Sequence, residues 1–334
     1  MESLHKLCYN ASMINTIYTI KTPVSIALVT DAHNHPVDGV LASLKMHRPE
    51  IICIAGDFVY APLPRQGLKM KHSPYSLDLL YGCSRLAPTF VSIGNHEWML
   101  NADDLAIIRS TGVTLLDNDY VHYQPDTGQI RVHDIHAPNK RQTGKRADSA
   151  QNTDCRITSN NKANNTGNHK MTVKNDIVIG GLSSASYTAY RSYCSRIGRR
   201  SANLRHKPTS SIYPALRRKS PLLRNSQAEI GWLDSFCQEA GYKILLCHHP
   251  EYYPLYLKRK KIDLILSGHA HGGQIRIFGQ GLFAPGQGFL PRLTSGVIDD
   301  RLVISKGLAN NTIVPRLFNP GELVYLARPR SGAY

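Results

Sequence analysis

The chain has no Cys-x-x-Cys pair and few acidic residues, with 24 Asp and Glu against 40 Lys and Arg in 334 residues. Two of its seven cysteines, Cys53 and Cys247, lie within or beside apolar runs, which favours reduced thiols over a disulfide framework. The first 23 residues lack an apolar stretch of membrane-spanning length, and Met13 to Ile20 is too short and too polar for a signal-peptide core. The sequence therefore predicts a cytoplasmic protein and leaves peripheral attachment to a membrane open.

Five short apolar runs each end in a cluster of Asp, Asn or His residues. The runs are 26–29, 51–54, 90–93, 244–246 and 264–266, and the clusters that follow are Asp31-Ala32-His33, Gly56-Asp57, Gly94-Asn95-His96-Glu97, Cys247-His248-His249-Pro250 and Ser267-Gly268-His269-Ala270-His271-Gly272-Gly273-Gln274. Such runs are typical of buried strands that end in a polar tip. Five polar strand ends indicate one shared site rather than five coincidences.

The side chains at these strand ends are of the types that bind divalent metal ions. The candidate ligands are Asp31, His33, Asp57, Asn95, His248, His269 and His271. They offer carboxylate, amide and imidazole donors without a thiolate, a set that favours manganese, iron or zinc over a structural zinc site. Seven ligands are too many for one catalytic ion, whereas two ions that share a bridging carboxylate would use them well. The two members of D-x-H or H-x-H can bind different ions where the chain leaves its strand.

The order D-x-H, G-D, G-N-H-E, H-H and G-H-x-H-G-G resembles the calcineurin-like metallophosphoesterases, over residues 24–328. Gly268 to Gln274, followed by Ser305-Lys306-Gly307-Leu308, resembles their small bacterial phosphodiesterase branch. The resemblance implies a mixed α/β fold, a four-layer sandwich of two mixed β-sheets flanked by helices.

The same resemblance implies a role for each residue of a binuclear metal centre. One ion would be held by Asp31, His33, Asp57 and His271, and the other by Asp57, Asn95, His248 and His269, with Asp57 as the bridge. His96 would face the scissile phosphate, where it can stabilise charge or protonate the leaving oxygen. His249 is an alternative to His248, which lies nearer the end of its strand. Glu97 would support a loop or a histidine from behind the ligands.

Periodicity predicts helices and further strands around these motifs. The predicted helices are Val37 to Met46, Ala102 to Ser110 with Asn101 as a cap, and Ala228 to Ala240; the predicted strands are Thr114 to Leu116, Tyr120 to Tyr123, Gln129 to Val132, Asp176 to Leu182, Gln274 to Ile277, Leu302 to Ser305 and Leu323 to Leu326. The first two helices and their neighbouring strands form βαβ units. At 334 residues, the chain can still form one large α/β unit.

Residues 137–225 are predicted to form a basic insertion within this domain. They contain 18 Lys or Arg against three Asp, a net charge of +15 in a chain that carries +16. Residues 139–170 have almost no large apolar side chains, which predicts disorder. Residues 183–223 combine tyrosine with arginine, so they could form a flap that attracts a phosphate substrate or nucleic acid, or a solvated loop. Binding to an anionic membrane surface is a third alternative.

Two classes of function fit the sequence. One is a hydrolase acting on ester bonds, in which a hydroxide bridging two metal ions attacks phosphorus and His96 assists the leaving oxygen. The other is a non-catalytic protein that binds nucleic acid or a partner through the basic insertion. The complete ligand set favours the enzyme. Its substrate stays open between phosphodiesters, phosphomonoesters and the pyrophosphate bond of lipid precursors such as UDP-diacylglucosamine, which some members of the resembled family cleave.

Overall fold

The computed structural model describes residues 13–60, 70–132, 176–185, 187, 228–285, 287–310 and 314–329. Apart from 176–185 and 187, the predicted insertion at 137–225 lies outside the described residues. None of the helices in the described ranges combines the length and the apolar character needed to cross a bilayer.

Strands account for most of the regular structure. They are β1 (Ile14–Thr19), β2 (Ile26–Val29), β3 (Ile51–Ala55), β4 (Thr89–Ser92), β5 (Thr114–Leu116), β6 (Asp119–Gln124), β7 (Gln129–Val132), β8 (Ile177–Leu182), β9 (Tyr242–Cys247), β10 (Leu264–Ser267), β11 (Arg276–Ile277), β12 (Gln280–Gly281), β13 (Phe283–Ala284), β14 (Gly288–Phe289), β15 (Gly296–Ile298), β16 (Leu302–Ile304) and β17 (Glu322–Ala327). The α-helices in the described ranges are α1 (Asp38–His47), α2 (Pro74–Leu86), α3 (Ala102–Ser110) and α4 (Leu233–Gln238). Short helical turns lie at Met70–His72, His96–Met99, Tyr253–Leu257 and His271–Gly273.

The first sheet has the strand order β1-β17-β2-β3-β4-β5. Strands β2 to β5 are parallel neighbours, and α1, α2 and α3 connect them in turn. Strand β17 runs antiparallel to β2 and parallel to β1. Because parallel strands are covered on both faces, β2, β3 and β4 are buried along their whole length. This arrangement confirms the predicted βαβ units.

The second sheet has the order β15-β16-β10-β9-β8-β6-β7. Its middle strands β16, β10, β9 and β8 are parallel, while β15, β6 and β7 pair antiparallel. The sheet is therefore mixed. As in the first sheet, consecutive parallel strands bring their carboxyl ends to one edge.

The core lies in three layers between and outside the two sheets. Leu28 and Phe90 of the first sheet share a buried cluster with Ile244 and Leu266 of the second, so the sheets pack face to face. The outer face of the first sheet packs on its helices, and the outer face of the second sheet packs on α4 and the 253–257 turn. Two mixed sheets enclosed by helices confirm the predicted four-layer α/β fold.

Some predicted boundaries were wrong. The helix expected over 228–240 spans only Leu233–Gln238, because Gly231 weakens its first turn and Glu239 is already extended. The strand expected at 274–277 shortens to Arg276–Ile277, since Gln274 adopts a left-handed backbone conformation with φ of 59°. Helix α2, which starts with Pro74, and strand β1 were not predicted. The cap at Asn101 is confirmed, with its side chain 2.9 Å from the amide of Asp104.

Candidate metal centre

The five polar strand ends meet at the edge shared by the two sheets. Three groups of side chains place their potential ligand atoms within 4.8 Å of one another. The groups are Asp31 with His33 and His271, Asp57 with His248 and His269, and His33 with Asp57 and His96. His269 and His271 fall in different groups, although one residue separates them in the chain. The two histidines therefore lie in different parts of the site.

Short distances tie the groups together across the sheets. Asp57 Oδ2 lies 3.0 Å from His248 Nε2, and Asp31 Oδ1 lies 3.4 Å from His271 Nε2 and 3.9 Å from His248 Nε2. The backbone amide of His269 donates to Asp31 Oδ2 at 3.1 Å. Asp31, Asp57, His248 and His271 are almost completely buried. His269 is 8% exposed.

Main-chain carbonyls orient three of the histidines. Nδ1 of His33 lies 3.3 Å from Val59 O, Nδ1 of His248 lies 2.8 Å from Ala55 O, and Nδ1 of His271 lies 3.2 Å from Ala309 O. A carbonyl oxygen can only accept, so the ring proton belongs on Nδ1 in each case. When such a ring is neutral, its Nε2 carries the lone pair, and this is the arrangement of metal-binding histidines.

Several donor atoms of the site are buried without a hydrogen bond. Within the described part of the chain, Asp31 Oδ1, His33 Nε2, Asn95 Oδ1 and His248 Nε2 have no hydrogen-bond partner. His248 Nε2 lies 3.0 Å from Asp57 Oδ2, and the two side chains form an ion pair when the ring is protonated. Burial of a polar atom without a partner costs about 1–3 kcal/mol. Coordination of divalent cations would satisfy these atoms, so the residues fit such ions.

Burial and charge set the protonation of the site. Burial lowers the pKa of His33 and of His269 well below the usual range, and lowers the pKa of His271. Burial alone would raise the pKa of Asp57, but His248 and His96 outweigh it and hold that pKa well below its usual range. At His248 the opposite holds, because Asp57 and Asp31 outweigh burial and raise the pKa to about 10. The neutral rings of the first three residues suit metal binding.

The loops that carry these residues have an uncommon backbone. Asp31, His33, Asp57, His269 and His271 all have φ between 45° and 65°. Non-glycine residues rarely adopt this left-handed conformation, and such residues concentrate at functional sites. The turns direct side chains inward where each strand ends, which explains how neighbours in the sequence can diverge.

Glu97 organises two of the loops from behind. Its carboxylate accepts hydrogen bonds from the amides of Asp57 at 3.0 Å, Val59 at 3.1 Å and Gly94 at 2.7 Å. Burial and the nearby Asp57 raise the pKa of Glu97 to about 8. A side chain at Gly94 would place its Cβ 2.3 Å from Asp57 Oδ1, so this close approach requires glycine. The sequence left Glu97 as a support either for a loop or for a histidine. These contacts show that it supports loops.

His96 lies at the mouth of the site. Its amide donates to Asp57 Oδ1 at 2.8 Å, and its Nε2 is 3.9 Å from Asp57 Oδ2. The ring contacts His33 at 4.5 Å between centroids, and 20% of the side chain is exposed. Tyr60, to which the sequence assigned no role, stacks near His96 at 6.3 Å. His96 is therefore both close to the donor cluster and open to a ligand.

His249 is engaged on both sides of its ring. Its Nδ1 lies 2.9 Å from Glu251 Oε1, and its Nε2 lies 2.9 Å from Ser184 Oγ. His249, Glu251 and His269 are close enough to form a further metal-binding group. Since both nitrogens of His249 already have partners, this geometry favours His248 as the ligand from this loop.

Two supporting residues escaped the sequence analysis. Arg316 is partly buried and donates to the carbonyls of Lys306, Gly307, Ala309, Asn319 and Pro320. It thereby holds the segment that presents Ala309 O to His271. Asn319 Nδ2 donates to His271 O at 2.7 Å and to Gln274 O at 3.0 Å. No local motif surrounds either residue, so only the fold could identify them.

The profile of the calcineurin-like phosphoesterase family matches residues 24–273. The match covers more than half of the chain and includes the donor residues of all five strand ends. The protein belongs to the calcineurin-like phosphoesterase family.

Individual similar proteins match this chain over only part of their own length. The uncharacterized protein YpbG of Bacillus subtilis is 49% identical over 47 residues, which are 14% of this chain and 17% of YpbG. A Staphylococcus aureus protein assigned as a 5′-nucleotidase, solved with alpha-ketoglutarate, gives a TM-score of 0.38 at 12% identity, over 93% of this chain and 55% of that one. The sulfate thiohydrolase SoxB of Thermus thermophilus, solved with glycerol, gives 0.36 at 10% identity, over 96% and 58%. The chain thus spans little more than half of these solved proteins.

Proposed function

We propose that this protein is a metal-dependent hydrolase that cleaves phosphodiester or pyrophosphate bonds at a centre of two divalent cations. The observation that carries this proposal is the set of buried donor atoms without hydrogen-bond partners, which come from three different strand ends. Family membership supports the same chemistry. The donors are oxygen and nitrogen atoms, so manganese, iron and zinc are the candidate ions.

The donor groups divide between two ions in a simple way. Asp31, His33, Asp57 and His271 would hold one ion, and Asp57, Asn95, His248 and His269 would hold the other. Asp57 would serve both, which agrees with its presence beside both His33 and His248. When bound, two such cations activate water and neutralise charge on the phosphoryl oxygens.

His96 would act on the leaving group. It is partly exposed, and its position beside Asp57 puts it within reach of a phosphate held by the donor cluster. Cleavage requires a proton for the departing oxygen, and a histidine at the mouth can donate it or can stabilise charge on the phosphoryl group. The hydrogen bond from the backbone amide of His96 to Asp57 Oδ1 keeps the ring close to the donors.

A non-catalytic binding protein explains the site less well. Such a protein gains nothing from buried atoms that lack hydrogen bonds, because they lower its stability. The G-H-x-H-G-G-Q sequence and residues 305–308 support assignment to the small bacterial phosphodiesterase branch. Attraction of a phosphate substrate, nucleic acid or an anionic membrane by the basic insertion is a separate proposal that rests on composition, as does a cytoplasmic location.

Hydrolysis by metal-stripped protein, with single divalent metals added back, tests the proposed function. We expect activity on a model phosphodiester to return with manganese, iron or zinc, together with two bound ions per chain. Comparison with a model phosphomonoester then ranks the two substrate classes. Absence of hydrolysis with every metal and both substrates, in folded protein, would contradict the proposal.

A further inference from the structure

A cleft of about 500 Å³ opens next to the metal centre. One wall comes from the segment directly after His248 and His249, through Glu251, Tyr253, Pro254 and Lys258. A second wall comes from Gln287 and residues 290–293, and Ile298 and Asp299 complete the lining. Small-molecule sites usually have volumes of roughly 300–1,000 Å³, so this cleft can hold a substantial organic group.

Both walls are connected to the loops that carry the proposed ligands. On one side, Glu251 Oε1 lies 2.9 Å from His249 Nδ1 and 3.8 Å from His269 Nε2. On the other side, the amide of Leu282 donates to Gly273 O at 3.1 Å, and the amide of Leu290 donates to Leu282 O at 2.9 Å. Glu251 therefore belongs both to the lining of the cleft and to the surroundings of the proposed ligands.

Most of the exposed surface of the cleft is apolar, although the charged residues Glu251, Lys258, Arg292 and Asp299 also line it. Pro254, Leu290, Leu293 and Ile298 all contribute to the lining. Leu290 is 65% exposed although it is a large apolar side chain. Apolar surface that faces a cleft gains free energy when an apolar ligand covers it.

Several polar groups of the lining are already used within the protein. Gln287 donates through Nε2 to Leu293 O at 2.8 Å and accepts from Leu293 N at 3.0 Å. Tyr253 donates to Asp299 at 2.8 Å, and Lys258 pairs with Asp299 at 3.2 Å. The edge of a nucleobase would need hydrogen-bonding groups of this kind, whereas an aliphatic chain needs none.

We propose that this cleft is the specificity subsite for the organic group of the substrate, and that this group is an aliphatic chain. The proposal rests on the proposed function, because the phosphoryl end of the same molecule must lie at the metal centre. It narrows the substrate to an amphiphilic phosphoester with an alkyl or acyl chain.

Binding of alkylphosphonates to the full chain, loaded with the metals that it retains, tests the subsite by calorimetry. The series of methyl-, butyl- and octylphosphonate keeps the anionic group constant and changes only the chain. We expect affinity to rise by roughly two- to fourfold for each buried methylene. The variant Leu290→Asp should weaken octylphosphonate binding by roughly tenfold or more and leave methylphosphonate binding within about twofold.

Leu255→Asp is the matched control. Leu255 is 66% exposed on the wall segment but does not line the cleft, so it should keep the full dependence on chain length. Equal affinity for all three phosphonates, or no binding by any of them, would overturn the subsite. Adenosine monophosphate serves as a comparison ligand. If Leu290→Asp lowered the affinity for adenosine monophosphate alone, this would also overturn the subsite, because it would indicate that the cleft binds a base. Hydrolysis of model esters without dependence on chain length would remove the subsite alone, whereas chain-dependent binding without any hydrolysis would remove the proposed function alone.

Discussion

The two sheets contribute different chemistry to one site. The first sheet provides all the proposed oxygen donors, Asp31, Asp57 and Asn95, together with the imidazole of His33, whereas the second sheet provides only imidazoles, at His248, His269 and His271. Neutralisation of the two proposed cations would therefore depend on the first-sheet half, because only its donors carry negative charge. The second-sheet half supplies nitrogen, which favours transition metals over magnesium or calcium.

The halves are also supported differently. The loops of Asp57 and Asn95 depend on the buried carboxylate of Glu97, which joins them through three backbone amides. His248 and His271 instead rest on the main-chain carbonyls of Ala55 and Ala309. Glu97 alone thus positions three amides of the first half, whereas two histidines of the second half are oriented by backbone carbonyls, one of which, that of Ala309, also accepts from Arg316. The following predictions test this contrast, in order of decreasing effect.

Asp57→Asn should have the largest effect. It removes an anionic oxygen that lies beside both His33 and His248, so both ions should bind weakly and turnover should fall by roughly 10³-fold or more. Metal content and hydrolysis rates check this, with thermal unfolding to show that the fold survives. Asp38→Asn, at the exposed start of α1, makes the same chemical change as a control. Two bound ions and near-normal turnover in Asp57→Asn would refute the bridging role.

His96→Ala should keep both ions and lose activity that depends on the leaving group. We expect a loss of roughly 10²- to 10⁴-fold for poor leaving groups, the usual scale of general acid catalysis, and a smaller loss for activated esters. Rates measured across a series of phenol leaving groups check this. Equal losses along the series would assign His96 to charge stabilisation or positioning.

His248→Ala and His249→Ala should separate two neighbouring histidines. The first variant should lose one of two bound metal equivalents, because it removes a proposed ligand. The second should retain both, because the nitrogens of His249 contact Glu251 and Ser184. Metal analysis of the two purified variants checks this, and the reverse outcome would make His249 the ligand.

Glu97→Gln and Glu251→Gln compare the supports of the two halves. Glu97→Gln should weaken metal affinity by roughly 10- to 100-fold, the usual effect of losing a group that orients ligands. Glu251→Gln should weaken it by less than roughly tenfold, because Glu251 contacts imidazoles and no described loop amide depends on it. Competition with a chelator measures both. Similar losses would mean that the contrast between the halves is wrong.

Reversal of charge in the basic insertion should have the smallest effect. Replacement of Arg199, Arg200, Arg217 and Arg218 by Glu should lower kcat/KM, mainly through KM, by roughly tenfold at low salt if the insertion attracts an anionic substrate. The difference from wild type should shrink as salt shortens the screening length to about 8 Å. Unchanged kinetics at every salt concentration would leave a solvated loop.

Much of the fold was predictable because its strands are buried on both faces. Five continuous apolar runs gave the positions of β2, β3, β4, β9 and β10, and the polar residues after them gave the donor set. The helix predicted over 228–240 is longer than the observed α4, because Ile230 and Cys237 fit a helical period that Gly231 interrupts. The cleft was not predicted, since its walls come from segments that look like ordinary loops in the sequence.

The sequence by itself determined the types and order of the donor groups, and with them the preference for divalent metal ions. Only the tertiary structure decided which atom of each group faces the site. His248 is oriented by Ala55, 193 residues away in the chain, and His271 by Ala309, which Arg316 holds in place. Such contacts leave no local pattern, because a backbone carbonyl is present at every residue and its partner is selected by how the two sheets pack.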